Sequence, residues 1–174
     1  MAMGYVHVYF GDGPGKTTAA MGLALRGSGQ GLRVAVAQFL KDNNSGERRM
    51  LKKLPGITLL PAPASLPFTF AMTPAQKTEY HTFVHTLWEQ ILTLLQRGAI
   101  DLLILDEWGD ACEQGWFSAE DVDRLWETAG PAELVITTHD LPAFLLERAD
   151  YLTEMKKLRH PYDHGLCARR GIEY

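Results

Sequence analysis

A glycine-rich loop close to the amino end constrains the fold more than any other feature of the chain. Residues 5–10 (YVHVYF) form a β-branched and aromatic run, which predicts a strand. Residues 11–18 (GDGPGKTT) follow directly, and a helix-compatible stretch continues to about residue 28, where Gly29 and Gly31 end it. A strand, a glycine loop and a helix in this order are typical of folds in which helices cover a parallel sheet.

The rest of the chain continues this alternation. Amphipathic spacing predicts a long helix over residues 74–97, and Ser118 with Asp121 indicates a capping box for a helix that runs to about residue 129. Pro142 suits the first position of a short helix ending at residue 148. Further apolar runs predict strands over residues 33–40, 57–60, 101–106, 133–138 and 151–156. We therefore expect a three-layer α/β fold with a mostly parallel sheet of about six strands, in a single domain over residues 1–174.

Composition excludes several classes of protein. The 174 residues are 46% hydrophobic and 22% charged, with a net charge of −4, which is typical of a globular core and gives no global attraction to nucleic acid or an anionic membrane. No apolar stretch is long enough to predict a transmembrane helix, and the amino end lacks the pattern of a secretory signal. Two cysteines make no disulfide framework, so we expect a reduced, cytoplasmic setting.

The glycine loop also has the composition of a phosphate-binding loop. Its glycines allow backbone N–H groups to turn inward, Lys16 adds a mobile positive charge, and the Thr17 hydroxyl can bind Mg²⁺. Phe10 lies where the usual pattern has its first glycine, so this loop is one residue shorter than standard. The alternative, a plain glycine turn, rarely carries Gly-Lys-Thr-Thr between a strand and a helix.

An acidic pair follows the fourth predicted strand. Asp106 and Glu107 come directly after the apolar run 102–105, and the carboxyl ends of parallel strands meet at one edge of a sheet. A carboxylate at this edge can hold Mg²⁺ directly or through water. The sequence therefore predicts a metal site close to Lys16, although a solvated strand end is the alternative.

Several longer segments resemble the P-loop ATP:corrinoid adenosyltransferases of the cobalamin pathway. They are GDGPGKTTAA, LALRGSGQGLRVAVAQFLK, LLILDE, ADYLTEM and, most specifically, the carboxyl-terminal RHPYDHGLCARRGIEY. The resemblance covers nearly the whole chain. It implies a RecA-like P-loop NTPase fold, a homodimer, and transfer of the 5′-deoxyadenosyl group of MgATP to the cobalt(I) of a reduced corrinoid, with release of triphosphate. It also implies an electron-donating reductase as a partner.

The same resemblance assigns candidate residues. Phe68 and Phe70, two positions apart in the loop before the long helix, match the aromatic pair that is thought to strip axial ligands from cobalt and so ease its reduction; the alternative is that both rings fill the core. Lys16 would stabilise the leaving triphosphate, and Thr17, Asp106 and Glu107 would hold Mg²⁺ or Mn²⁺. The candidate ATP contacts are Gly11, Asp12, Gly13, Pro14, Gly15, Lys16, Thr17, Thr18, Arg26, Gln38 and Lys41, with Arg26 expected one or two turns into the first helix.

Some positions depart from the family pattern and keep other functions open. Pro14 lies where relatives often have lysine, and residues 138–140 (THD) lie where they often have Gly-Arg. The first strand begins almost at the amino end, so we expect a site that is either more open or closed by other elements. Asp106, Glu107 and His139 would also suit a P-loop ATP or GTP hydrolase, and Pro14 would suit a non-catalytic corrinoid or nucleotide carrier.

Overall fold

A parallel sheet forms the centre of the protein in the computed structural model, which describes residues 4–172. Within these residues the sheet has six strands in the order β3-β2-β4-β5-β1-β6, and each neighbouring pair is parallel. The strands are β1 (Val6–Phe10), β2 (Val34–Gln38), β3 (Ile57–Leu59), β4 (Leu102–Asp106), β5 (Glu133–Thr137) and β6 (Tyr151–Glu154). The predicted α/β fold with a RecA-like sheet is therefore confirmed.

Helices connect the strands and cover the sheet. They are α1 (Lys16–Gly29), α2 (Gly46–Leu51), α3 (Pro74–Gln96), α4 (Trp108–Glu113), α5 (Ala119–Thr128) and α6 (Ala143–Arg148). The capping box of Ser118 and Asp121 is present at the start of α5, as predicted. None of the helices within residues 4–172 has the length and apolar character needed to cross a membrane.

Two details differ from the sequence prediction. Helices α2 and α4 are not predicted, because six residues make fewer than two turns and show no periodicity. Pro142 was expected as the first residue of α6 but lies just before it, with an extended ψ of 147°. Its carbonyl accepts the first hydrogen bonds of the helix, from Leu145 and Leu146, so it acts as the N-cap.

The sheet separates two apolar clusters. Along β4, Leu103 and Leu105 pack into the cluster that includes α3, whereas Leu102 and Ile104 pack into the cluster that includes α1. This alternation is expected for a strand, because successive side chains point to opposite faces. The α3 cluster contains Trp88, Trp108, Trp116 and Trp126, so the tryptophans belong to the core.

Candidate active site

The phosphate loop lies at the carboxyl edge of the sheet, where β1 leads into α1. Gly11 and Gly15 have φ values of 108° and 110°, a conformation that glycine adopts readily and other residues rarely do. The N–H of Gly11 donates to the His139 carbonyl at 2.8 Å, and the N–H of Gly13 donates to the Met155 carbonyl at 2.6 Å. Backbone groups that follow β5 and β6 therefore hold the loop in place.

This bracing changes which loop groups can hold an anion. The N–H groups of Gly11 and Gly13 already have protein partners, and Pro14 has no N–H. The Asp12 carboxylate also has a protein partner, since it accepts the N–H of Lys157 at 2.9 Å. The first turn of α1 offers the better donors, because N–H groups at a helix start have no partner within the helix and carry its positive dipole end. Lys16, Thr17 and Thr18 form this turn.

Lys16 lies across the phosphate loop. Its ammonium donates to the carbonyls of Gly11 and Gly13, the latter at 3.0 Å. These carbonyls satisfy the charge only in part, since neither carries a full negative charge. The ammonium is therefore available to a polyphosphate that enters the loop.

Asp106 is the centre of the predicted metal site and has no exposed surface. One carboxylate oxygen accepts the hydroxyls of Thr17 at 2.9 Å and Thr137 at 2.8 Å, and the other accepts Gln38 at 3.0 Å and Lys41 at 2.8 Å. The four donors use the whole acceptor capacity of a carboxylate. The structure thus brings Asp106 and the phosphate loop together at one edge, as the sequence predicts.

Lys41 lies among several oxygens and forms with them what we call the Lys41 cluster: Lys41, Thr17, Glu47, Asp106 and Glu107. Besides Asp106, the ammonium contacts the Thr17 hydroxyl at 2.9 Å, Glu107 at 3.5 Å and Glu47 at 3.8 Å. Burial opposes its charge, but the surrounding carboxylates outweigh burial and raise the pKa of Lys41 above its ordinary value. The side chain is therefore charged at neutral pH.

Glu107 lies at the end of β4, where its surroundings disfavour the charged form. It adopts a left-handed conformation with φ of 60°, and its N–H donates to the Thr137 hydroxyl at 2.7 Å. Burial, together with the carboxylates of Asp106 and Asp110, raises the pKa of Glu107 to about 7, against the opposing effect of Lys41. In the metal-free protein this carboxyl is therefore partly protonated at neutral pH.

A buried network supports Asp106 from below and includes residues that the sequence analysis did not single out. Gln38 donates to both Asp106 and Glu47 and accepts from the buried guanidinium of Arg48 at 3.1 Å. Arg48 also donates to the Leu60 carbonyl at 2.8 Å, so it links β2, α2 and the end of β3. Arg48 and Thr137 had no sequence signal, because their contacts depend on which strand ends become neighbours.

Oxygen atoms of the Lys41 cluster fit a hard divalent cation. Mg²⁺ prefers oxygen ligands and is usually held by one or two carboxylates together with substrate phosphates. Residues 4–172 contain no group of three or more His, Cys, Asp or Glu side chains that could hold a metal ion. The Lys41 ammonium is itself a cation placed among these oxygens. The donor set therefore fits a metal that ATP helps to bind.

The loop between β3 and α3 carries the aromatic pair. Phe68 and Phe70 are 77% and 86% exposed, and their rings stack with centroids 5.5 Å apart. The alternative that they fill the core is therefore wrong. Phe70 also lines a cavity of 630 Å³, together with His81 of α3 and Trp116, which lies between α4 and α5.

Residues 39–43 connect the aromatic loop to the phosphate side of the molecule. The N–H of Leu40 donates to the Tyr80 hydroxyl at 3.1 Å, and the N–H of Asn43 donates to the Pro63 carbonyl at 3.0 Å. The segment that carries Lys41 thus contacts both α3 and the loop that precedes Phe68. Two candidate subsites, one polar and one aromatic, lie along the carboxyl edge of the sheet.

Arg26 is the candidate ATP contact that the structure does not bring into this group. We expected it one or two turns into α1, but it lies in the last turn and is exposed. Ten residues separate it from Lys16, which is about 15 Å along the helix axis. A contact with ATP would therefore have to involve a part of the nucleotide far from the phosphates.

Comparisons with known proteins agree with this geometry. A sequence model described as ATP:corrinoid adenosyltransferase BtuR/CobO/CobP matches residues 2–174. The chain is 30% identical to the corrinoid adenosyltransferase of Escherichia coli over 178 residues, which covers 98% of this chain and 86% of the relative. The corrinoid adenosyltransferase CobA of Salmonella typhimurium has the same identity and coverage, and that of Pseudomonas aeruginosa is 28% identical over 98% of this chain and 84% of its own.

The family match spans the phosphate loop, the acidic strand end and the aromatic loop alike. It favours an enzyme that joins ATP and a corrinoid over the hydrolase and the carrier that the sequence left open. The chain belongs to the ATP:corrinoid adenosyltransferase family.

Proposed function

We propose that this protein transfers the 5′-deoxyadenosyl group of MgATP to the cobalt(I) of a reduced corrinoid and releases triphosphate. The observation that carries the proposal is the exposed Phe68–Phe70 stack. It lies in the loop that follows the carboxyl end of β3, and the phosphate loop follows the carboxyl end of β1 in the same parallel sheet. Hydrolysis of a nucleotide does not require two exposed aromatic rings at this place. Such rings suit the binding of a flat macrocycle whose metal must lose an axial ligand.

Charge and electron balance agree with the residues present. Cobalt(I) supplies the electron pair for the new bond to the 5′-carbon, and the bond from that carbon to the triphosphate oxygen breaks. Triphosphate leaves with the broken pair, so negative charge grows beside Lys16 and the start of α1. No proton moves, which means that Glu107 has no role as a base.

The candidate metal ligands Thr17, Asp106 and Glu107 would hold Mg²⁺ or Mn²⁺ against the polyphosphate. When bound, the metal would supply further positive charge to the leaving group. Gln38 and Arg48 would position Asp106 for this role, because Gln38 binds a carboxylate oxygen directly and Arg48 fixes Gln38. Cobalt(II) must accept one electron before the transfer, so the proposal includes a separate reductase. The proposal also includes a homodimer.

The test is incubation of the protein with MgATP and chemically reduced cobalamin, followed by the visible spectrum and analysis of the phosphate products. We expect triphosphate and a new carbon–cobalt chromophore in equal amounts. ADP and phosphate with an unchanged corrinoid would identify a hydrolase and contradict the proposal. Binding of both ligands without turnover would identify a carrier and contradict it equally.

A further inference from the structure

We propose that the Lys41 ammonium fills the metal site of the nucleotide-free protein and excludes free divalent cations, so that the metal enters only together with ATP. This inference rests on the metal site of the proposed function. It concerns a step before chemistry, namely which form of the cation the protein accepts. It assigns Lys41 the role of keeping free divalent cations out of the site, in addition to its candidate contact with ATP.

The contacts of Lys41 involve every candidate ligand of the metal. The Thr17 hydroxyl donates to Asp106 and accepts from Lys41, and both oxygens of Asp106 already accept two donors each. Glu107, the third candidate ligand, is paired with Lys41 at 3.5 Å. Mg²⁺ needs oxygens at about 2.0–2.1 Å, so it cannot bind Thr17 and Asp106 until the ammonium has left.

Charge explains why the ammonium stays in the free protein. Asp106, Glu107 and Glu47 surround Lys41, and the Asp106 carboxylate has no exposed surface. Without a cation these acids would repel one another in a partly buried site, where electrostatic interactions are stronger than in water. To bind here, a free metal ion would have to lose part of its hydration shell and displace the Lys41 ammonium, which the protein chain holds at the site.

ATP changes this balance. Its polyphosphate brings negative charge to the loop beside Lys16 and gives the Lys41 ammonium new partners. Lysine can make this move, because its ammonium is carried on a flexible four-carbon stem, and the Lys41 side chain is already 22% exposed. The cation that arrives with ATP then replaces the lysine charge among the same oxygens.

Binding of Mn²⁺ alone, followed through the loss of its free-ion electron paramagnetic resonance signal, tests the inference without any catalytic readout. In the absence of nucleotide we expect Lys41→Met to bind Mn²⁺ about tenfold or more tightly than the unaltered protein, the scale of removing one competing charge. Lys53→Met, which removes an exposed lysine after α2, serves as the control and should bind like the unaltered protein. Adding Asp106→Asn to Lys41→Met should abolish the gain.

A second variant guards against loss of folding. Lys41→Met with Glu47→Gln keeps the net charge and the three candidate ligands, so it should fold, and Mn²⁺ should raise its melting temperature but not that of the unaltered protein. Equal Mn²⁺ affinity in all variants, or tight binding of free Mn²⁺ by the unaltered protein, would overturn the inference while adenosyl transfer continued. If instead the proposed function fails while the inference holds, the unaltered protein would form no carbon–cobalt bond, but Lys41→Met would still bind Mn²⁺ more tightly than the unaltered protein.

Discussion

Lys16 provides the mobile positive charge of the phosphate loop, where Pro14 contributes neither a charge nor an N–H. We therefore expect Lys16→Ala to lower the rate of adenosyl transfer about 10²-fold or more, even with preformed cobalt(I), since charge stabilisation of the leaving triphosphate is lost. The measurement is single-turnover formation of the carbon–cobalt chromophore. Lys157→Ala is the matched control, because Lys157 lies beside the loop but its ammonium pairs with Asp163 at 3.0 Å.

Glu107 makes the stability of the metal-free protein depend on pH. Its pKa is about 7 in the folded protein and about 4.5 as a free group, so the folded state binds more protons between these values and loses stability as the pH rises through them. Glu107→Gln removes this loss. The quantity to compare is the free energy of unfolding of Glu107→Gln minus that of the unaltered protein. We expect this difference to rise by about 2 kcal/mol between pH 5 and pH 8, after allowance for partial exposure.

Urea unfolding at several pH values, in the presence of a chelator and without ATP, measures this difference. Glu127→Gln on the exposed side of α5 is the control variant. A constant difference between Glu107→Gln and the unaltered protein across the pH range would contradict the burial of a partly protonated carboxyl at the end of β4.

The amino ends of β2 and β4 are joined by a charged pair far from the candidate site. Asp101 accepts the backbone N–H and the guanidinium of Arg33, and these bonds lower its pKa to about 2. A carboxylate with a depressed pKa stabilises the folded state above its unfolded value near 4 and loses this effect as the pH falls toward 2. We expect Asp101→Asn to lower the free energy of unfolding at pH 7, and this deficit to shrink as the pH falls from 4 to 2. Asp123→Asn, an exposed change on α5, should show no such dependence in the same acid titration.

Variants in the loop between β3 and α3 can test whether its aromatic pair acts in cobalt reduction or in adenosyl transfer. Phe68→Ala removes an exposed ring that would displace a ligand from cobalt, and so we expect it to slow the reaction that starts from cobalt(II) about tenfold or more, equivalent to about 1.4 kcal/mol in the barrier. The reaction that starts from preformed cobalt(I) should stay close to normal. Phe70→Trp keeps a large ring and should retain both activities, whereas equal losses in both assays for Phe68→Ala would indicate a structural role.

Periodicity explains which elements could be predicted from sequence. The long helix α3 and the buried strand β4 follow from the spacing and length of their apolar residues, because one periodic pattern extends over the whole element. The aromatic loop has no period, so sequence alone left the exposure of Phe68 open. The sequence predicts that Thr17, Asp106 and Glu107 meet, but not that Lys41 and Glu47 join them, since those contacts form only when the ends of β2 and β4 become neighbours.

The two faces of the sheet share their strands, which couples the folding of the protein across its full thickness. Residues of β4 contribute alternately to the cluster with the tryptophans and to the cluster with α1. Neither cluster can lose its strands without exposing the other. The predicted single domain therefore implies one cooperative unfolding transition.

A substitution on one face can be detected from the other. Val36 is buried in the α1 cluster, and the tryptophans lie across the sheet, so tryptophan fluorescence reports on the face that the change does not touch. We expect Val36→Ala to lower the free energy of unfolding by about 2 kcal/mol and to shift the fluorescence and far-ultraviolet circular dichroism midpoints in urea equally. Met50→Ala, an exposed change on α2, should leave both midpoints nearly unchanged. If the circular dichroism midpoint fell while the fluorescence midpoint stayed constant, the α1 layer would unfold separately, and the phosphate loop at the start of α1 could then open without disturbing the rest of the protein.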